Sequence, residues 1–521
     1  MNHTITEGRS GMDAAASTFD RRPMLNAYPD SVGGRLSKMT TLLKQPEMKG
    51  LFSAFYILPS LYHSDLDRGF SVIDYGLNEE LVSEADLESL REMGIALKLD
   101  FVLNHASVQS PQFKDLLARG DESEYRDFFI DWNRFWEGCG EMTPEGYIQP
   151  DPEYIQKMFF RKPGLPILMV TFPDGREVPY WNTFYQKTWE ENGERRYLGQ
   201  MDLNIRSPKV WEHYEKTLQT LAGYGASIVR LDAFAYAAKE PGAKNFLNEP
   251  ATWDVLARVQ EIASRYGLTL LPEIHASYEE GIYRTLAEKG YAAYDFFLPG
   301  LVIDALENRT AEMLARWAEE IVQDGLCMVN MLGCHDGIPL LDLKGLLPEE
   351  RIQGLIDCIV ARGGYVKDLH GAKNIYYQVN ATYYSALGED DRKMLLARAI
   401  QLFMPGKPQV WYLDLFAGKN DHEAVRRAGE GGHKEINRTN LTMEDVETAL
   451  SREVVQKQIE LLRFRNTCPA FGPGAEMTFT VEEDPSQFSI TWTREDCTAT
   501  LRADLAALTF TISEDHTGEQ K

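Results

Sequence analysis

Four short stretches of this 521-residue chain set carboxylates, imidazoles and a guanidinium at spacings that can do acid–base or nucleophilic chemistry. They are Asp100-Phe-Val-Leu-Asn104-His105, Arg230-Leu-Asp232-Ala233, Pro272-Glu273-Ile-His275 and Cys334-His335-Asp336-Gly337. Each alone has an ordinary structural explanation: an acidic residue at a strand end often caps the next helix, and a histidine beside Asn or Asp is often only hydrogen-bonded. Together they read differently, because Asp232, Glu273 and Asp336 end three separate apolar runs and Arg230 precedes one of them by two residues. Residues i and i+2 of a strand face the same side, so the guanidinium is expected to keep Asp232 ionised with a low pKa. Such a set supplies the parts of a retaining glycosyl transfer. One carboxylate attacks the anomeric carbon, and a second, about 5 Å away, protonates the leaving oxygen and then activates the acceptor. The third carboxylate and the histidines are left to hold sugar hydroxyls. The Cys334-His335 pair is not read as nucleophile and base, since adjacent residues of an extended strand point to opposite faces.

These groups need a scaffold that brings distant strand ends together. Apolar runs at 24–28, 54–58, 96–102, 227–231, 268–273, 293–298, 328–332 and 408–413 read as eight strands, with amphipathic helices such as 84–93, 208–222, 252–266 and 278–289 between them. That alternation predicts an α/β fold, a (β/α)8 TIM barrel rather than a doubly wound sheet. The four motifs then stand at C-terminal strand ends, where barrel enzymes build their sites. Residues 24–106 and 205–336 form the barrel in this reading, and 389–470 complete it. Residues 107–204 are too long for a connection and predict an inserted domain B after strand 3, with Trp132, Phe135 and Trp136 at helical spacing as its local core. Residues 337–388 predict a second insertion, at the barrel mouth after strand 7. From 471 onward the period changes to two, as in SQFSITWT and ALTFTIS, which predicts a small C-terminal antiparallel β domain. Residues 1–23 read as a flexible tail, ordered only near its end.

Composition bounds the partners. The 79 acidic residues against 54 basic ones leave a formal net charge of −25, a field that repels nucleic acid and anionic membrane surfaces. No run approaches the roughly 20 apolar residues of a membrane span, the first residues hold no apolar signal core, and the six cysteines are scattered without a C-x-x-C pair. The expectation is a cytoplasmic enzyme with reduced thiols. No phosphate-binding loop or dinucleotide fingerprint is present, and no cofactor or metal is expected. Asn104 lacks a surrounding cluster of oxygen ligands and reads as a hydrogen-bonding residue that orders its loop. An anionic substrate would need local cations in so acidic a chain. Arg438 is one candidate, and Arg161 with Lys162 another, although these two read equally well as solvated surface charge. His433 reads as a mobile loop residue, with contact to the acceptor as the alternative.

The ordered set of motifs resembles the four sequence regions of the α-amylase superfamily, glycoside hydrolase family thirteen. The resemblance implies that Asp232 is the nucleophile, Glu273 the general acid/base and Asp336 the transition-state stabiliser, with Arg230, His105 and His335 lining the donor-glucose subsite. Asp67-Arg-Gly-Phe70, Tyr377-Gln378-Val-Asn380, Phe416-Ala-Gly-Lys-Asn-Asp421 and Ile436-Asn-Arg438 are similar to the sucrose phosphorylase family. By that likeness Asp67 closes the glucose pocket, Phe70 stacks on the sugar, and Tyr377, Gln378 and Arg438 face acceptor and phosphate; a homodimer follows from the same analogy. The implied reaction converts sucrose and inorganic phosphate to α-glucose 1-phosphate and fructose by double displacement. The alternatives are a phosphorylase of glucosylglycerol, glucosylglycerate or sucrose 6′-phosphate, a sucrose or α-glucoside hydrolase or transglucosidase, and a silent barrel, which the three intact carboxylates oppose. Departures lie on the acceptor side: Ile375 stands where the family carries an Asp that contacts fructose, the segment 185–198 is long, and it ends Gln200-Met-Asp-Leu-Asn204. Tyr377, where the sucrose 6′-phosphate enzymes carry His, argues against that substrate.

Overall fold

The computed structural model describes residues 19–161, 164–366, 378–429 and 431–516. Tyr377, Ile375 and Lys162 fall outside them, as do residues 1–18 of the expected tail. The eight apolar runs form one sheet of eight parallel strands: β1 (Met24–Ala27), β2 (Ala54–Ile57), β3 (Ala96–Val102), β4 (Ala226–Asp232), β5 (Thr269–Pro272), β6 (Ala293–Asp295), β7 (Met328–Met331) and β8 (Lys407–Trp411). Their order is β5-β4-β3-β2-β1-β8-β7-β6. Each run is short and nearly unbroken in its apolar character because both faces are covered, by side chains inside the barrel and helices outside; every residue of β1, β2 and β7 is buried. The two ends of the order, β5 and β6, have no ladder between them among the described residues. Side chains cover that seam: the His275 ring stacks on Phe296 at 3.9 Å, and Phe296 on Tyr294 at 5.2 Å.

The outer helices show why the sequence periodicity was readable. In Pro208–Gly223, Pro208 sits in the first turn, where its missing N–H costs nothing. Val210, Trp211, Tyr214, Leu218 and Leu221 recur three or four residues apart and form the buried stripe. No described helix is long and apolar enough to cross a membrane.

Between β3 and β4 the inserted segment has its own apolar cluster, in which Ile130, Trp132, Trp136, Ile148 and Trp181 are buried. Trp132 and Trp136 therefore are core, as their spacing predicted. The strand Glu194–Asp202 runs back to pair with His105–Ser107, directly after β3, and so returns Gln200 and Asp202 to the barrel mouth. After β7 the chain forms short strands Ile338–Pro339 and Gln378–Asn380 and the helix Glu349–Ala361. The C-terminal strands Glu476–Val481, Gln487–Arg494, Cys497–Asp504 and Thr509–His516 make an antiparallel meander.

One stretch of the expected tail is docked. Phe19 is buried, the Asp20 carboxylate accepts from Lys407 Nζ at 2.7 Å, and Arg21 donates to the Gly472 carbonyl at 3.2 Å. The buried ammonium of Lys407, at the start of β8, requires an anionic partner, and Asp20 is that partner.

Candidate active site

Arg230 organises the centre. Its side chain is 2% exposed and touches three carboxylates: Asp100 from β3, Asp232 two residues on in β4 at 3.1 Å, and Glu273 at the end of β5 at 2.6 Å. Tyr56 from β2 donates to Asp100 at 2.8 Å, fixing that carboxylate from the far side. The shared strand face of Arg230 and Asp232 follows from the i, i+2 rule, and the parallel register of β4 with β5 brings Glu273 alongside, its N–H donating to the Leu231 carbonyl at 3.3 Å.

The electrostatics differ from the expectation at Asp232. Arg230 does pull its pKa down, but burial, with Glu273, Asp100 and Asp336 close by, outweighs the guanidinium and raises Asp232 well above the usual carboxylate range. At Glu273 the balance reverses: burial pushes up, yet Arg230 and then His275 prevail and hold this carboxyl at about 2. Three buried carboxylates share this one guanidinium, so the charge on each opposes ionisation of the others. His275, with Nε2 3.7 Å from Glu273 and Nδ1 3.3 Å from Asp342, is pushed up to about 10, because those two acids outweigh its burial.

Asp336, beyond β7, faces a second cationic group. Lys434 Nζ lies 2.6 Å from its Oδ1 and Arg438 Nη2 3.6 Å away. Both also reach Asp67, Lys434 at 3.6 Å and Arg438 at 3.0 Å. Burial opposes charge on Asp336; His335, 3.3 Å off, is itself pushed down to about 3 by burial and is neutral, so Lys434 and Arg438 are what keep Asp336 well below its ordinary value. The His335 ring stacks on Phe70, 5.1 Å between centroids and 13° from parallel.

Asp67 and Phe70 belong to a strained turn. Asp67 and Arg68 have φ of 45° and 49°, the left-handed region that costs non-glycine residues energy, and Gly69 has φ of 113°. Arg68 holds it, donating to the Arg438 carbonyl at 2.9 Å and pairing with Glu435 at 3.4 Å. From the other side, His105 Nε2 and Gln200 Nε2 donate to the Phe70 carbonyl at 2.8 and 3.0 Å. Gln378 Nε2 reaches His275 Nε2 at 3.4 Å.

The structure thus brings Asp232, Glu273, Asp336, Arg230, His335, His105, Asp67, Phe70, Gln378 and Arg438 to one end of the barrel. Lys434 was not foreseen: it lies 98 positions after Asp336, in the glycine-rich stretch GEGGHKE. Arg161 joins the rim, donating to Tyr236 Oη at 3.0 Å with its guanidinium over the Phe184 ring, which in turn packs on His105. The Cys334 thiol is pushed up to about 12 by burial and points to the Gly337 carbonyl, so it is no nucleophile. At Asn104, the Lys239 ammonium lies 3.0 Å from the amide oxygen and 2.8 Å from Asp202. This lysine supplies the positive charge there, a poor setting for a metal cation.

Comparisons with known proteins identify the family. The α-amylase catalytic-domain family matches residues 51–320. The chain is 54% identical to a sucrose 6(F)-phosphate phosphorylase of Ilumatobacter coccineus, covering 98% of each chain. It is 33% identical to a sucrose phosphorylase of Streptococcus mutans, over 86% of this chain and 88% of that one. Among solved structures, the sucrose 6F-phosphate phosphorylase of Thermoanaerobacter thermosaccharolyticum superimposes with a TM-score of 0.87 at 34% identity, covering 98% of both chains. The protein belongs to the α-amylase family, in the glucoside-phosphorylase branch that contains the sucrose phosphorylases.

Proposed function

We propose that the enzyme moves an α-glucosyl unit between a fructoside and inorganic phosphate by double displacement, and that the fructoside is sucrose 6′-phosphate. Asp232 attacks the anomeric carbon to give a β-glucosyl ester while Glu273 protonates the leaving oxygen, releasing fructose 6-phosphate; phosphate then displaces Asp232 to give α-glucose 1-phosphate. The first step needs Asp232 ionised as the nucleophile and Glu273 protonated as the acid. Asp336, Arg230, His105, His335, Asp67 and Phe70 hold the glucosyl unit.

The observation that supports phosphorolysis is the pair Lys434 and Arg438, which brings two cations to the mouth beside Asp336 and Asp67 in a chain of net charge −25. The 54% identity to a sucrose 6(F)-phosphate phosphorylase favours the phosphorylated acceptor. The opposing indication, Tyr377, lies outside the described residues. Sucrose itself is the second reading, favoured by Tyr377 and by relatives named sucrose phosphorylase.

The test incubates purified protein with sucrose 6′-phosphate or sucrose, each with and without phosphate, and follows glucose 1-phosphate, glucose and the fructosyl product. Phosphate-dependent glucose 1-phosphate, with kcat/KM higher for sucrose 6′-phosphate, is the expected result. Preference for sucrose selects the second reading, and free glucose at the same rate without phosphate overturns phosphorolysis.

A further inference from the structure

Away from the catalytic mouth, a set of soft and borderline ligands converges where the barrel meets the C-terminal sheet. Cys468 follows the last barrel helix, Glu453–Thr467. Cys497 opens the strand Cys497–Asp504, and Glu514 and His516 close the strand Thr509–His516. Cys497 is directly opposite His516 in the antiparallel register, so their side chains share a sheet face. Glu514, two residues before His516, projects to that same face. The Sγ atoms of Cys468 and Cys497 and a carboxylate oxygen of Glu514 all lie within 4.8 Å of one another. Glu514 Oε1 is 3.8 Å from Cys497 Sγ and 3.2 Å from His516 Nε2.

Those separations have a chemical meaning. Around a tetrahedral Zn2+ with Zn–S of ~2.3 Å and Zn–N or Zn–O of ~2.0–2.1 Å, the ligand atoms stand about 3.4–3.8 Å apart. The two observed edges fall within a few tenths of an ångström of that range. Both thiols are buried, and Glu514 and His516 are open to solvent, which gives an apolar inner wall and an entry side.

We propose that Cys468, Cys497, Glu514 and His516 bind one Zn2+ that staples the C-terminal sheet to the last barrel helix. On binding, each thiol loses its proton to solvent and the two thiolates, carboxylate and neutral imidazole complete four-coordination; His516 turns its exposed ring inward to do so. The role is structural, since Cys468 lies past the barrel helix that leads away from the catalytic strand ends.

The experiment strips full-length protein with a strong chelator under reducing conditions, then titrates it with Zn2+ or with Co2+ as a spectroscopic probe. The expected result is one equivalent bound, a thiolate-to-cobalt charge-transfer band in the near ultraviolet, and a Tm that falls on stripping and recovers on reloading, with kcat unchanged. Cys497→Ser should abolish the band. Because a buried substitution can disturb folding, Glu514→Gln and His516→Ala on the exposed side are the safer variants. Each should weaken Zn2+ by at least the roughly 10–100-fold that loss of a mere outer-shell partner costs. Substoichiometric Zn2+ that is indifferent to these variants, absence of the charge-transfer band, or a Cys468–Cys497 disulfide in the protein as purified would each overturn the proposal.

Discussion

Asp232 and Glu273 share one guanidinium, and that sharing decides what their substitution does. Asp232→Asn keeps the size of the side chain and its contact to Arg230 but removes the nucleophile; turnover should fall by about 10³-fold or more in single-turnover assays while the circular dichroism stays unchanged. Glu273→Gln separates the acid from the nucleophile. With a fructoside donor it should lose nearly all activity, because the alkoxide leaving group needs a proton. With α-glucosyl fluoride, whose leaving group departs unprotonated, glucosylation should survive and the alkaline fall of the pH–rate profile should vanish. If the variant loses both donors equally, Glu273 is not the acid. His275 gives a stability prediction. Its folded pKa, about 10, is above the ordinary histidine value of about 6.5, so its contribution is complete below that ordinary value, declines above it and is lost as pH rises through about 10. The Tm gap between wild type and His275→Gln should therefore be widest at pH 6 and close towards pH 10.

At the scale of elements, the site depends on turns as much as on strands. A Cβ on Gly69 would stand 2.1 Å from the Ser60 nitrogen and 2.3 Å from the Pro59 carbonyl carbon, and its φ of 113° is closed to other residues. Gly69→Ala must therefore displace the turn that carries Asp67 and Phe70. The expected outcome is a loss of kcat/KM far larger than the loss of Tm, read by donor saturation kinetics and thermal melts on the same preparation; equal activity would mean that Asp67 and Phe70 do not contact the donor. The sequence made the barrel readable for a physical reason: parallel strands buried on both faces must be continuous apolar runs, and the motifs that end them carry their chemistry in contiguous residues. Arg230 with Asp232 is legible because a strand's period is two. Lys434 is not, because nothing local distinguishes a lysine that crosses the mouth to Asp336 from one in solvent. The Asp232 pKa is likewise invisible in the sequence: it depends on the distances of three other carboxylates, which only the closed ring of strands sets. Order near the end of the tail was expected, but its anchor was not legible, since the partner of Asp20 is Lys407, 387 positions away.

For the whole molecule, the question is how a barrel whose chemistry lies at one end is tied to a sheet that contributes nothing to the mouth. Trp492 is the main tie. It is 1% exposed, its indole N–H donates to the Phe403 carbonyl at 2.8 Å at the end of the helix Asp391–Phe403, and the guanidiniums of Arg21 and Arg465 lie over its ring at 4.6 and 5.6 Å. Arg465 is also buried, donating to the carbonyls of Arg21 and Gly406, so one indole covers the place where the N-terminal segment, the last barrel helix and the C-terminal sheet meet. Removing it leaves a cavity beside a buried guanidinium. Trp492→Ala should cost about 3–5 kcal/mol, and the loss should fall on the interface, because the barrel keeps its own core and its ring of strands. Calorimetry should then resolve an early transition for the C-terminal sheet ahead of the barrel's, with kcat and KM at 25 °C unchanged. A single cooperative transition shifted downward, with kcat falling in parallel, would mean instead that the sheet holds the catalytic strand ends in place from the opposite side of the barrel.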